Sequence, residues 1–194
     1  MLIVFEGIDG AGKTTQVDIL LDKLRKQGEE VSFYQYPSKK ERSKKIYDHL
    51  LEKTKLTADQ LLTLYLDDIY YDQQELKNKT KDEIIILSRY IFSTIAYQGI
   101  KLGMEYIIKE VEKRNFLKPD IVFLLDIPAE EGLRRKKGGE HIFEKDLEFQ
   151  EKVRQNLLNL YKSHYFASHW VFLDGERAVK DIYKVIEQNI KIYK

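Results

Sequence analysis

An α/β fold built on a five-stranded parallel sheet flanked by helices is what this sequence predicts, on three observations. Five apolar runs of four or five residues recur along the chain: Leu2–Phe5, Val31–Gln35, Ile84–Leu87, Ile121–Leu125 and His169–Leu173. Runs of this length suit buried strands and are too short for helices. Stretches with apolar residues at helical spacing separate most of them, and that alternation argues for a parallel sheet covered on both faces. The third observation is a glycine-rich turn joining the first run to the first helical stretch.

The turn reads Gly7-Ile8-Asp9-Gly10-Ala11-Gly12-Lys13-Thr14. It fits G-x-x-x-x-G-K-[ST], the phosphate-binding P-loop. Strand, glycine loop, helix is the order the chemistry requires: backbone N–H groups close around phosphate oxygens, and the helix N-terminus adds partial positive charge. Lys13 would reach the β- and γ-phosphates of ATP, and the Thr14 hydroxyl would ligate Mg²⁺. Gly7, Asp9, Gly10, Ala11, Gly12 and Thr15 complete the expected ATP-binding set. The expected fold is therefore that of the P-loop NTPases, as one domain over residues 1–194.

The remaining elements follow in order. Lys13–Gln27 reads as a helix with Val17, Leu20, Leu21 and Leu24 on one face, and Gly28 stands where a C-terminal cap belongs. After the second run, the longest gap, residues 37–82, holds two helical stretches. The first opens at Ile46–Leu51. The second, Ala58–Leu76, carries Leu61, Leu62, Tyr65, Leu66 and Ile69 at helical spacing. Ser93–Glu112, Ala129–Lys137, Leu147–Tyr161 and Ala178–Ile192 also read as helices. Ligands in such folds bind beyond the C-terminal ends of the strands. That directs attention to Glu6–Gly12, Tyr36–Pro37, Ser88–Arg89, Asp126 and Asp174–Gly175.

Composition narrows the function classes. With 33 basic and 32 acidic residues the net charge is +1, which gives no global argument for nucleic acid or membrane as a partner. The absence of cysteine excludes disulfides and cysteine metal sites, and fits a cytoplasmic protein. No apolar run approaches the ~18 residues of a membrane span. The chain enters a strand directly, so no signal peptide is expected.

A second motif is more specific than the P-loop. Ser88-Arg89-Tyr90 is followed by Ser93-Thr94-Ile95-Ala96-Tyr97-Gln98-Gly99. Here the chain resembles the thymidylate kinases, whose members carry Asp-Arg-Tyr and then Ser-x-x-Ala-Tyr-Gln after the third strand. Phe5-Glu6-Gly7-Ile8-Asp9-Gly10 is similar to their P-loop lead-in. Lys118-Pro119-Asp120 and Leu125-Asp126-Ile127-Pro128 resemble their fourth-strand signature. Phe143-Glu144 and Phe149-Gln150-Glu151-Lys152-Val153-Arg154 look like the end of their LID segment. The likeness runs through nearly the whole chain.

The resemblance implies transfer of the γ-phosphoryl group of ATP to dTMP, with Mg²⁺, by a homodimer packed through helices such as the one from Ser93. It implies that Arg89 holds the acceptor's 5′-phosphate, a task suited to paired guanidinium N–H donors. Asp9 would face the acceptor 3′-hydroxyl and the metal region. Tyr36 and Pro37 would wall the acceptor nucleotide, and Thr94, Tyr97 and Gln98 would line its sugar and base, with Tyr97 crowding the 2′ position. Arg134-Arg135-Lys136-Lys137 runs into Gly138-Gly139 at the start of a LID over residues 134–146. No base stands among the variable P-loop positions, so Arg134 and Arg135 are expected to bring charge to the moving phosphoryl group, with Arg135 the better placed. The Asp174–Arg177 loop would border adenine through its backbone.

Two departures from the family pattern are visible. Ser88 stands where the family has Asp, which leaves Mg²⁺ to Thr14, phosphates and waters. In the helix before the third strand, Leu64 and Asp68 occupy the positions of a thymine-stacking Phe and a base-reading Arg. Residues 56–76 contain no Lys or Arg. A carboxylate at Asp68 would repel thymine O4 and suit the cytosine amine, so dCMP or dUMP is a second candidate acceptor, with Tyr65 or Tyr70 supplying the stacking. Two rival readings remain. A deoxynucleoside kinase needs a base after the second strand, where no carboxylate occurs before Glu41. A nucleotide-binding protein with little catalysis would account for Ser88, but not for Lys13, Thr14 and Arg89 together.

Overall fold

The computed structural model describes residues 1–136 and 146–193. Five strands, β1 (Leu2–Glu6), β2 (Val31–Gln35), β3 (Ile84–Ser88), β4 (Ile121–Asp126) and β5 (His169–Asp174), form one sheet in the order β2-β3-β1-β4-β5. Every pairing is parallel. Leu2 to Glu6 and Ile84 to Ser88 are buried throughout, which is why these strands read as continuous apolar runs rather than alternating ones. Phe5 and Phe123, on neighbouring strands, pack with ring centroids 5.2 Å apart. Because β1 is central, with β3 and β4 on either side, the loop at its C-terminal end lies at the crevice where such folds bind ligands.

Nine α-helices are described: α1 (Lys13–Lys26), α2 (Lys44–Leu50), α3 (Ala58–Tyr71), α4 (Gln73–Lys79), α5 (Ile91–Leu102), α6 (Met104–Glu112), α7 (Ala129–Lys136), α8 (Leu147–Lys162) and α9 (Val179–Tyr193). A short 3-10 turn, Glu41–Ser43, precedes α2. α1 ends as its sequence suggests: Gly28 has φ 78°, its N–H reaches the Arg25 carbonyl, and the Glu29 N–H reaches that of Leu24. α3 opens on a capping box in which Thr57 and Gln60 exchange side-chain-to-backbone bonds. Among the described residues, no helix is long and apolar enough to cross a membrane.

Two expected helices are each divided in the structure. Ala58–Leu76 breaks at Asp72, whose carboxylate is drawn inward to Tyr36 and Arg42. Ser93–Glu112 breaks at Gly103, where φ is 83°, a value open to glycine and costly for other residues. The main core lies on both faces of the sheet. A smaller apolar cluster of Ile46, Leu50 and Leu61, with Tyr47, Leu56, Leu64 and Tyr65 against it, joins α2 to α3. Residues 137–145, which include most of the expected LID with Lys137, Gly138, Gly139, Phe143 and Glu144, lie outside the described residues.

Candidate active site

The P-loop follows β1 directly and leads into α1. Lys13 opens that helix and folds back, its ammonium donating to the carbonyls of Gly7 at 2.9 Å and Ile8 at 2.8 Å. Burial, reinforced by the neighbouring Arg89 charge, pulls its pKa down to about 7. Thr14 and Thr15 are exposed in the first helical turn. Gly10 meets α7 closely: a Cβ there would stand 2.5 Å from the Gly132 carbonyl oxygen. A Cβ on Gly132 would in turn stand 2.6 Å from the Asp9 carbonyl oxygen. Two glycines thus let α7, the helix with the basic run, lie on the phosphate loop.

Arg89 is the first residue after β3. It has φ 66°, an uncommon value for a non-glycine residue and one concentrated at functional sites. Its guanidinium donates to the Asp9 carboxylate at 2.6 Å, to Ser93 Oγ at 3.0 Å and to the Tyr97 hydroxyl at 3.3 Å. It also lies 5.1 Å from the Tyr97 ring centroid. Burial alone would push the Asp9 carboxyl up, but Arg89 and Lys13 outweigh it and hold it well below the usual range. Beneath them Glu6 is fully buried. Its carboxylate accepts from the Tyr90 N–H at 2.8 Å, the Ser93 N–H at 3.2 Å and Ser93 Oγ at 2.5 Å. A carboxylate from β1 therefore satisfies the amide donors that open α5, and burial pushes its pKa up. Sequence reasoning named Glu6 only as part of the loop's lead-in.

Two cavities open beside the P-loop. The larger, about 350 Å³, is lined by Asp9, Tyr36, Pro37, Arg89, Thr94, Tyr97 and Gln98, all expected acceptor residues. It is also lined by Lys39, Tyr47, Leu50, Tyr65 and Lys136. The smaller, about 270 Å³, is lined by Gly10, Ala11, Gly12, Thr15 and Arg135. Gly175, Arg177 and Val179 also line it, so the loop after β5 shares this cavity with the P-loop backbone. Asp9 and Gly10 are neighbours in the chain yet line different cavities, as do Lys136 and Arg135.

Four residues expected at the site stand elsewhere. Asp68 does not line the acceptor cavity. Its carboxylate turns into the protein and accepts from the Ser38 N–H at 2.6 Å, Ser43 Oγ at 2.7 Å and Arg42 Nε at 2.7 Å, so it cannot face a base. Leu64 packs in the α2–α3 apolar cluster, and the adjacent Tyr65 supplies the ring at the cavity instead. Tyr70 lies against Phe116, away from the cavity. Arg134 lines neither cavity; it is largely exposed and donates to Glu131 at 2.6 and 2.7 Å, because the i,i+3 spacing sets it on the outer face of α7. With Arg135 it holds the Glu131 carboxyl down at about 2. Arg135 does turn inward, donating to the carbonyls of Gly175 at 3.0 Å and Gly10 at 3.4 Å. Lys39 was not anticipated as a lining residue and carried no distinguishing signal, whereas Lys136 belongs to the basic run, whose sequence leaves open which of its four residues points inward. Asp126, at the end of β4, is engaged by Arg154 of α8 at 2.7 and 2.8 Å.

A triphosphate laid along the P-loop from the smaller cavity would end beside Lys13. An anion entering from the larger cavity would meet Arg89. Fold and site together define a P-loop kinase with two cavities beside its phosphate loop. Comparison with known proteins agrees. The family model for thymidylate kinase matches residues 5–186. A thymidylate kinase of Caldanaerobacter subterraneus is 32% identical over 200 residues, covering 98% of this chain and 95% of that protein. One from a Sulfurihydrogenibium species is 33% identical over 197 residues, with 97% and 96% covered. A probable thymidylate kinase of Methanocaldococcus jannaschii is 38% identical over 187 residues, with 96% and 93% covered. The chain belongs to the thymidylate kinase family, a family of nucleoside monophosphate kinases.

Proposed function

We propose that this chain transfers the γ-phosphoryl group of ATP to the 5′-phosphate of dTMP, giving ADP and dTDP. The observation that carries the reading is Arg89 paired with Asp9 in the lining of the larger cavity, with the P-loop Lys13 close enough for its charge to act on both. An acceptor phosphate with its second pKa near about 6 is largely a dianion at neutral pH and attacks without a general base. One of its oxygens bonds to the γ-phosphorus as the bond to the β–γ bridging oxygen breaks, and ADP leaves. Arg89 exchanges the Asp9 carboxylate for the acceptor phosphate and aligns it, while Lys13 leaves its two carbonyls for the β- and γ-phosphates. Arg135, already hydrogen-bonded to Gly175 and Gly10, borders the donor nucleotide.

Among the described residues no group of three or more His, Asp or Glu side chains could hold a metal ion. One exposed hydroxyl, Thr14, beside a phosphate loop suits Mg²⁺, which keeps several waters and takes phosphate oxygens as ligands. When bound, the ion would neutralise charge on the β- and γ-phosphates. Tyr97 limits room at the sugar, and Tyr65, Thr94 and Gln98 face the base. The dCMP alternative rested on a carboxylate at the base, and Asp68 is turned away from it. A nucleoside acceptor also lacks support. Asp9 is the one carboxylate lining the acceptor cavity among the described residues, its lowered pKa makes it a poor base, and Glu41 is exposed elsewhere. A homodimer belongs to the same reading: exposed Tyr70, Tyr71 and Tyr106 lie on α3 and α6, which flank α5, and light scattering of the purified chain tests it. A cytoplasmic setting does too, since both substrates are too highly charged to cross a membrane unaided.

A coupled ADP-release assay with ATP, Mg²⁺ and dTMP, dUMP, dCMP, UMP, CMP or thymidine tests the reading. Turnover is expected to be highest with dTMP and absent with thymidine. Preference for another acceptor would move the specificity, and no turnover with any acceptor despite ATP binding would leave a binding protein.

A further inference from the structure

Asp68 and Asp72 are two carboxylates almost fully removed from solvent, with side chains 1% and 2% exposed. Neither lines a cavity, and neither takes part in the chemistry above. Both project from the end of α3 towards the segment between β2 and α2. Arg42 bridges them, through Nε to Asp68 at 2.7 Å and through Nη2 to Asp72 at 2.5 Å, with its plane over the Tyr71 ring. Apart from Ser43, which bonds Asp68, and Lys40, which bonds Asp72, their other partners belong to the Tyr36–Ser38 segment beside the acceptor cavity. Tyr36 donates its hydroxyl to Asp72 at 3.0 Å. Ser38 donates both its N–H and its hydroxyl to Asp68, each at 2.6 Å. Between them the Pro37 carbonyl accepts from the Tyr47 hydroxyl at 2.9 Å.

Burying ion pairs is a poor way to gain stability, because desolvation offsets most of the attraction and apolar side chains would do as well. What such a network does give is a fixed geometry. Every side-chain partner of Asp68, and all but Lys40 of those of Asp72, are in or clamped to the Tyr36–Ser38 wall. We infer that Arg42, Asp68 and Asp72 form a charged clasp that holds the Tyr36–Pro37 wall at the spacing the acceptor nucleotide requires. The three are positioning residues for the acceptor. Asp68, which stands where the family's base-reading arginine would fall, acts from behind the wall rather than on the base. The inference rests on the kinase reading above and deepens it.

The test is Arg42→Met, read with whichever monophosphate the unmodified chain turns over fastest, so that a wrong acceptor assignment leaves the clasp testable. KM for that acceptor, and its calorimetric Kd, are expected to rise by about tenfold or more, with kcat and KM for ATP within about threefold. Arg42→Lys, which keeps the charge but not the bridging fork, is expected to recover part of the loss. Tyr36→Phe removes only the hydroxyl committed to Asp72 and serves if Arg42→Met does not fold. It should raise the acceptor KM alone, and in the Arg42→Met background it should add little, because both changes open one clasp. Unchanged acceptor KM and Kd in Arg42→Met and Tyr36→Phe, with only melting temperature or active fraction reduced, would overturn the inference. No turnover by the unmodified chain with any monophosphate would instead count against the kinase reading, and the acceptor Kd values would still decide the clasp.

Discussion

Lys13 shows how one side chain carries the demands of fold and chemistry together. It opens α1 buried, and its ammonium donates to two backbone carbonyls of its own loop. The cost appears as a pKa pulled from 10.5 to about 7. The unfolded chain therefore binds more protons than the folded one between those values, and through this group the nucleotide-free protein gains stability as pH rises across that window. Triphosphate reverses the balance by favouring the ammonium. Binding of a non-hydrolysable ATP analogue is expected to take up more of a proton near pH 8 than near pH 6 through this group. Calorimetry in buffers of different ionisation enthalpy measures the uptake, and Lys13→Met should abolish it. Residue identities of this kind were legible in the sequence because a P-loop fixes spacing. Their pairings were not: nothing in the order of residues says that Arg89 rests on Asp9, or that Glu6 satisfies the amides opening α5.

At the scale of elements, the strands and most helices were legible because apolar period and capping act locally. The two broken helices were not, for different reasons. Gly103 is a local signal that a long apolar period masked. Asp72 ends α3 because a tertiary tie to Arg42 and Tyr36 outweighs helical propensity, and that tie spans 30 to 36 residues of sequence. Gly132 is the converse case, a glycine inside a helical pattern that sequence reasoning passed over. It permits α7 to touch the P-loop. Gly132→Val would place a branched side chain against the Asp9 carbonyl and is expected to cost about 1–3 kcal/mol by overpacking. Because the carbonyl it displaces adjoins both chambers, kcat/KM should fall for ATP and for the acceptor alike. Denaturant melts and two-substrate kinetics read both effects. A loss of stability with unchanged kinetics would mean that α7 does not set the loop's position.

For the molecule as a whole, parallel β1, β3 and β4 bring the P-loop, Arg89 and α7 to one end of the sheet, and that much followed from reading strands alternating with helices. The leading acceptor, dTMP, followed from the family resemblance, but the side chains that would meet its base did not. A register argument placed Asp68 at the base, whereas the helix rotates it into the protein and offers Tyr65 to the cavity. One residue of helix is about 100° of rotation, so an alignment that is nearly right can still name the wrong neighbour.

The pairing of Arg89 with Asp9, and of Lys13 with its own loop, has a consequence for the resting protein. Both cations are already answered from within, so the empty centre offers little bait to stray anions from solution. A ligand must displace internal partners one by one, and only a nucleotide, anchored by its sugar and base as well, has contacts enough to do so. Inorganic phosphate at millimolar concentration is accordingly expected to inhibit turnover only weakly. Discrimination against the commonest small anions is thus set by the protein's own pairs, the Arg89–Asp9 salt bridge and the hydrogen bonds from Lys13 to its loop.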